Sequence, residues 1–65
     1  MRLAITYDGD WFFAEMSEEE VSREILIGAI WRLPYKYDDN IPSFQADTTL
    51  NENRIYNRYA IENQP

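Results

Sequence analysis

Neither cysteine nor histidine occurs in these 65 residues. Without cysteine there is no disulfide framework and no thiol nucleophile, and without either residue there is no zinc site of the usual kind. The missing histidine also removes the side chain most used as a general base near neutral pH. Serines are confined to Ser17, Ser22 and Ser43, none of them in a nucleophile-elbow sequence, and the sole lysine, Lys36, has no glycine-rich phosphate loop beside it. No enzymatic activity, cofactor or metal is therefore expected. Apolar runs are short, far from a membrane span, and the N-terminus lacks the apolar stretch of a signal peptide. The cytosol is the expected location, that of the host if the chain is viral.

Basic residues are also scarce, six against twelve acidic ones, for a net charge of −6. That balance disfavours binding to a phosphate backbone, which needs concentrated Lys and Arg. It suits a basic-surfaced partner protein, or simple solubility through repulsion. Seven of the carboxylates, Asp8, Asp10, Glu15, Glu18, Glu19, Glu20 and Glu24, crowd into the first 24 residues, opposed only by Arg2 and Arg23.

Aromatic residues, in contrast, are plentiful: two Trp, five Tyr and three Phe. They supply the bulk that a chain this short needs to form a core without staples. A single α+β domain spanning 1–65 is expected, with residues 62–65 as a frayed tail. Homodimerisation is a reasonable further means of stabilising so small a fold.

The clearest local signal lies at Met16 to Pro34, which reads as one central helix. Ser17 and Glu20 have the spacing of a capping box, and Met16 with Val21 has that of a hydrophobic staple. Glu18, Glu19 and Glu20 suit the positive end of the helix dipole, Arg32 suits the negative end, and Pro34 stops the helix. Periodicity places Val21, Ile25, Leu26, Ala29, Ile30 and Leu33 toward a sheet. It leaves Glu20, Glu24, Ile27 and Trp31 on another strip. Trp31 either folds over the helix end against Tyr35 and the following loop, or joins Ile27 in a contact surface.

Residues 2 to 15 read as a β-hairpin about Asp8-Gly9, the strongest short turn signal in the chain. A two-residue loop sets Ile5 opposite Phe12, Leu3 opposite Ala14 and Arg2 opposite Glu15. Trp11 and Phe13 then share the face away from the helix, where a further layer or an interface must cover them. After a polar loop, 43–50 and 54–61 read as a second hairpin about Asn51-Glu52-Asn53. A helix over 52–62, with Ile55 and Tyr59 four apart, competes with the second of these strands. The expected fold is thus a small antiparallel sheet of ββαββ order with one helix on one face.

Asp38, Asp39, Asn40 and Asp47 offer oxygen ligands, but not in the spacing of a calcium loop. Glu20 and Glu24 lack a further ligand pair. The expected function is non-enzymatic: a small acidic domain that binds and inhibits or modulates a larger, basic-surfaced protein. One version presents carboxylates to a basic groove, as phage-type inhibitors that mimic nucleic acid do. The alternative is an accessory subunit that docks through an apolar helix face or on a second copy. Candidate contacts are Asp10, Trp11, Glu18, Glu19, Glu20, Glu24, Ile27 and Trp31. A third reading, binding of single-stranded nucleic acid, would use Arg54, Tyr56 and Arg58.

Overall fold

The computed structural model describes residues 1–34, 37–50 and 54–59. Its elements are β1 (Arg2–Tyr7), β2 (Asp10–Glu15), α1 (Glu18–Leu26), β3 (Ile30–Arg32), β4 (Ser43–Ala46) and α2 (Arg54–Tyr59). The four strands form one sheet in the order β2-β1-β4-β3. The α+β class is as expected, but the sheet is mixed, because β1 pairs parallel with β4.

The first hairpin has the register read from its turn: Ile5 pairs with Phe12, Leu3 with Ala14 and Arg2 with Glu15. Asp8 and Gly9 both take positive φ, 52° and 86°. Two such residues in succession match the right-handed twist of the strands they join. Leu3, Ile5, Phe12 and Ala14 face a core completed by Met16, Val21, Ile30, Phe44, Ala46, Ile55 and Tyr59.

The helix begins as expected and stops early. Glu20 N–H donates to Ser17 Oγ at 3.1 Å and Ser17 N–H donates to Glu20 Oε1 at 2.9 Å, closing the capping box. Both staple residues, Met16 and Val21, enter the core. The expected continuation to Pro34 is corrected at Gly28. Gly28 N–H donates to Ile25 O at 3.0 Å and Ala29 N–H to Glu24 O at 2.8 Å. That pair of bonds, around a Gly28 at φ 79°, is the Schellman stop. Beyond it Ile30, Trp31 and Arg32 pair antiparallel with β4. Arg32 therefore belongs to a strand and does not sit at the helix end.

The helix is also turned from its expected orientation. Val21 and Glu24 are its buried residues, whereas Ile25 is 44% and Leu26 is 86% exposed. Ala29 and Ile30 are buried, but from the turn and from β3. Mean burial direction differs by roughly a third of a turn from the apolar stripe, at 100° per residue.

The second hairpin does not form. β4 ends at Ala46 and instead lies between β1 and β3, and residues 54–59 are helical. Ile55 and Tyr59, one helical step apart, are the buried residues by which α2 joins the core. The expected turn at 51–53 and the expected frayed tail at 62–65 lie outside the described residues.

The stop at Gly28 has a direct test. A Cβ built on Gly28 meets nothing within 4 Å, so the cost of a side chain there is conformational. Gly28→Ala should lower the free energy of unfolding by about 1–2 kcal/mol. Gly28→Asn should cost less, both read from urea denaturation.

Candidate partner-binding surface

The carboxylates of α1 divide by the direction in which each leaves the helix. Glu18 and Glu19 are exposed in the first turn, as are Ser22, Arg23, Ile25 and Leu26 farther along. At 100° per residue these six share one solvent face. It runs from acidic at the N-terminal end to apolar at the C-terminal end. Ile27, the C-cap residue, adds a further side chain 46% exposed.

Glu20 and Glu24 point elsewhere. Glu20 is held in the capping box and also accepts from the Tyr59 hydroxyl of α2. Its carboxyl lies below the ordinary 4.5, first because the Ser17 backbone N–H donates to it, with burial opposing and the Ser17 and Tyr59 hydroxyls and Arg23 helping. Glu24 is 2% exposed and lies close enough to Tyr59 for its charge to act there. Tyr59 is raised above 10.0, chiefly by burial and partly by the hydrogen bond to Glu20 and the charges of Glu20 and Glu24, against the opposing charge of Arg58. Glu20 thus links α1 to α2 through the Tyr59 hydroxyl.

Ile27 and Trp31 do not form the shared helical strip expected of them. Ile27 stays at the helix end, whereas Trp31 projects from β3 opposite Gln45 and is 47% exposed. The registers carry that row across the sheet, from Trp31 to Gln45, Thr6 and Trp11. Trp11 is half-buried, and the Tyr37 ring lies on it at 5.1 Å and on Phe13 at 5.3 Å. The loop thus supplies part of the cover that these aromatics need. Arg2 lies over the other end of this cluster, its guanidinium 4.6 Å from the Phe13 ring centre. Glu15 meets the Met1 amino group at 2.8 Å.

Asp10 is exposed at the start of β2, beside the turn. Asp38 and Asp47 accept backbone N–H groups of their own turns, from Asn40 at 2.8 Å and from Thr49 and Leu50 at 2.9 and 2.7 Å. Among the described residues, no three acidic side chains gather as a metal-binding group. Of the residues considered for nucleic acid, Arg58 is exposed beside Tyr59, and the side chains of Arg54 and Tyr56 lie outside the described set.

The residues missed in the sequence are Ile25 and Leu26. Their apolar character placed them in the core, and only the helix's actual rotation exposes them. The sequence signal was present in Tyr59: a core tyrosine one helical step from Ile55 needs a polar partner for its hydroxyl. Glu20 on the facing helix provides it.

No described helix is long and apolar enough to cross a membrane. No protein-family model, curated protein or solved structure matches this chain.

The two shifted groups act at opposite ends of the pH scale. Glu20 holds its proton less tightly when folded, so its contribution to stability is present above pH 4.5 and lost as the pH falls through the lower folded value. Tyr59 holds its proton more tightly when folded, so its contribution is present below pH 10.0 and lost as the pH rises through the folded value. Urea midpoints measured across pH should show a flatter acid limb in Glu20→Gln and a flatter alkaline limb in Tyr59→Phe.

Proposed function

We propose that this protein is a non-enzymatic binding domain that docks on a larger protein, and modulates it, through the solvent face of α1. The observation that carries the reading is Leu26, 86% exposed, between Ile25 at 44% and Ile27 at 46%. Single exposed apolar residues are common, but Ile25 and Leu26 share one solvent face at the helix end and form an anchor there, with Ile27 beside them at the cap. Glu18 and Glu19 stand on the same face and suit a partner surface with Lys or Arg beside an apolar pocket. Leu26 and its neighbours would supply the desolvated contact, and the carboxylates would speed and orient the encounter.

This reading gives less weight to mimicry of nucleic acid. A mimic needs an array of free carboxylates, and Glu20 and Glu24 are turned toward α2. Asp10 belongs to the hairpin and adds to the negative field without joining the α1 face. Trp11 lies under Tyr37 and is a support of the sheet's other face.

The experiment compares capture of proteins from native lysate by the immobilised wild-type chain and by Leu26→Glu. A partner that docks on this face should bind Leu26→Glu about 10- to 100-fold more weakly, the equivalent of an unburied leucine. Glu18→Gln with Glu19→Gln should mainly slow association and reduce its salt dependence. Equal binding by the wild type and Leu26→Glu, with the circular dichroism spectrum unchanged, would remove the proposal.

A further inference from the structure

The edge of the sheet at β3 carries backbone groups that no strand among the described residues pairs with. Asp47 N–H donates to Ala29 O at 2.9 Å and Leu33 N–H donates to Ser43 O at 3.1 Å. With Ile30 opposite Ala46, Trp31 opposite Gln45 and Arg32 opposite Phe44, these bonds mark the pairs on either side of Ile30 and Arg32 as the hydrogen-bonded ones. Residues 29, 31 and 33 therefore turn their backbone toward β4. The N–H and C=O groups of Ile30 and Arg32 point outward, and among the described residues no strand lies beyond them.

We propose that β3 is the seat of a second copy of this chain, paired antiparallel across a two-fold axis at Trp31. The outward groups are symmetric about that residue. Ile30 of each copy meets Arg32 of the other in two hydrogen-bonded pairs, and Trp31 faces Trp31 as the close, non-bonded pair between them. The exposed indoles are then covered against each other.

Charge singles out the same edge. The chain carries −6, which opposes self-association over most of its surface. Ile25 to Pro34 contains no Asp or Glu, and Arg32 is its only charged residue. In the proposed register each Arg32 lies opposite an isoleucine, so the two guanidiniums are not directly opposed. Gly28 and Pro34 bound the strand, and two-fold pairing uses the β3 edge of each copy, so this contact closes at two copies. Three residues make a small contact beside the roughly 1,000 Å² that stable interfaces exceed, and the dimer should dissociate on dilution. This edge is separate from the docking face of α1, and either assignment stands without the other.

Sedimentation of the full chain over a range of concentrations tests the pairing. The wild type should shift reversibly from monomer toward dimer. Arg32→Pro removes an outward N–H while sparing every backbone hydrogen bond to β4, at the loss of the guanidinium that lies 5.5 Å from the Phe44 ring centre, and should remain monomeric with an unchanged circular dichroism spectrum. The register has its own probe, because the chain contains no cysteine. A close non-bonded pair sets Cα atoms about 4.5 Å apart, within disulfide range. Trp31→Cys should oxidise to a covalent dimer at least about tenfold faster than Ser22→Cys, whose thiol would sit on the exposed face of α1. A wild type that stays monomeric at its highest soluble concentration overturns the proposal and leaves the edge to an extended segment of another protein. A dimer that survives in folded Arg32→Pro overturns it as well. Should Arg32→Pro fail to fold, equal oxidation rates for Trp31→Cys and Ser22→Cys overturn it.

Discussion

The left-handed turn at Gly28 is the constraint on which the rest of this fold depends. Two hydrogen bonds end α1 there, and within two residues the chain is a strand. A helix continued to Pro34 would abolish β3, leave β4 with one neighbour and remove Ile30 from the core. It would also put Ile27 and Trp31 on a common strip. One positive φ thus decides the number of strands in the sheet and the separation of the two apolar surfaces.

A second consequence concerns the carboxylates. With α1 shortened and rotated, Val21 faces the core while Glu24 turns inward beside it, and Glu20 lies at the border. Burying a carboxylate costs stability unless polar groups surround it. α2 brings the Tyr59 hydroxyl to Glu20, beside the buried Glu24, and the Tyr59 ring into the core. The packing of the last described helix is therefore electrostatic as well as apolar. Glu20 takes part at both ends, capping α1 and holding α2.

What could be read from the sequence was what local chemistry decides. The Asp8-Gly9 turn, the hairpin register and the capping box each involve residues close in the chain, and each has the expected partners. The end of α1 was hidden because Ile25 to Trp31 suits either an apolar helix face or a strand. Only pairing with β4, distant in sequence, resolves it. The helix rotation was hidden for a different reason. Hydrophobicity assigns Leu26 inward and Glu24 outward, and the structure reverses both. The helical step from Ile55 to Tyr59 is also an even number of residues, so it serves a strand face equally well. The candidate surface followed these errors: Glu18, Glu19 and Ile27 stay on or beside the α1 face, Glu20 and Glu24 leave it, and Trp31 moves to the sheet edge.

The reversal at Leu26 bears on function because a 65-residue chain has few large apolar side chains to spare. Folding stability in so small a domain comes from a limited buried area, and each leucine or isoleucine left in water forgoes part of it. Here Ile25, Leu26, Ile27 and Trp31 all stand exposed within seven residues, in the longest stretch of the first half without a carboxylate. All twelve carboxylates lie elsewhere in the chain, where they oppose contact with any like-charged surface. Repulsion over most of the molecule, combined with apolar side chains in one acid-free stretch, narrows the places where another protein can approach. In the proposed docking the negative charge restricts contact geometry, and the acid-free stretch that begins in the last turn of α1 is where the apolar contact would form.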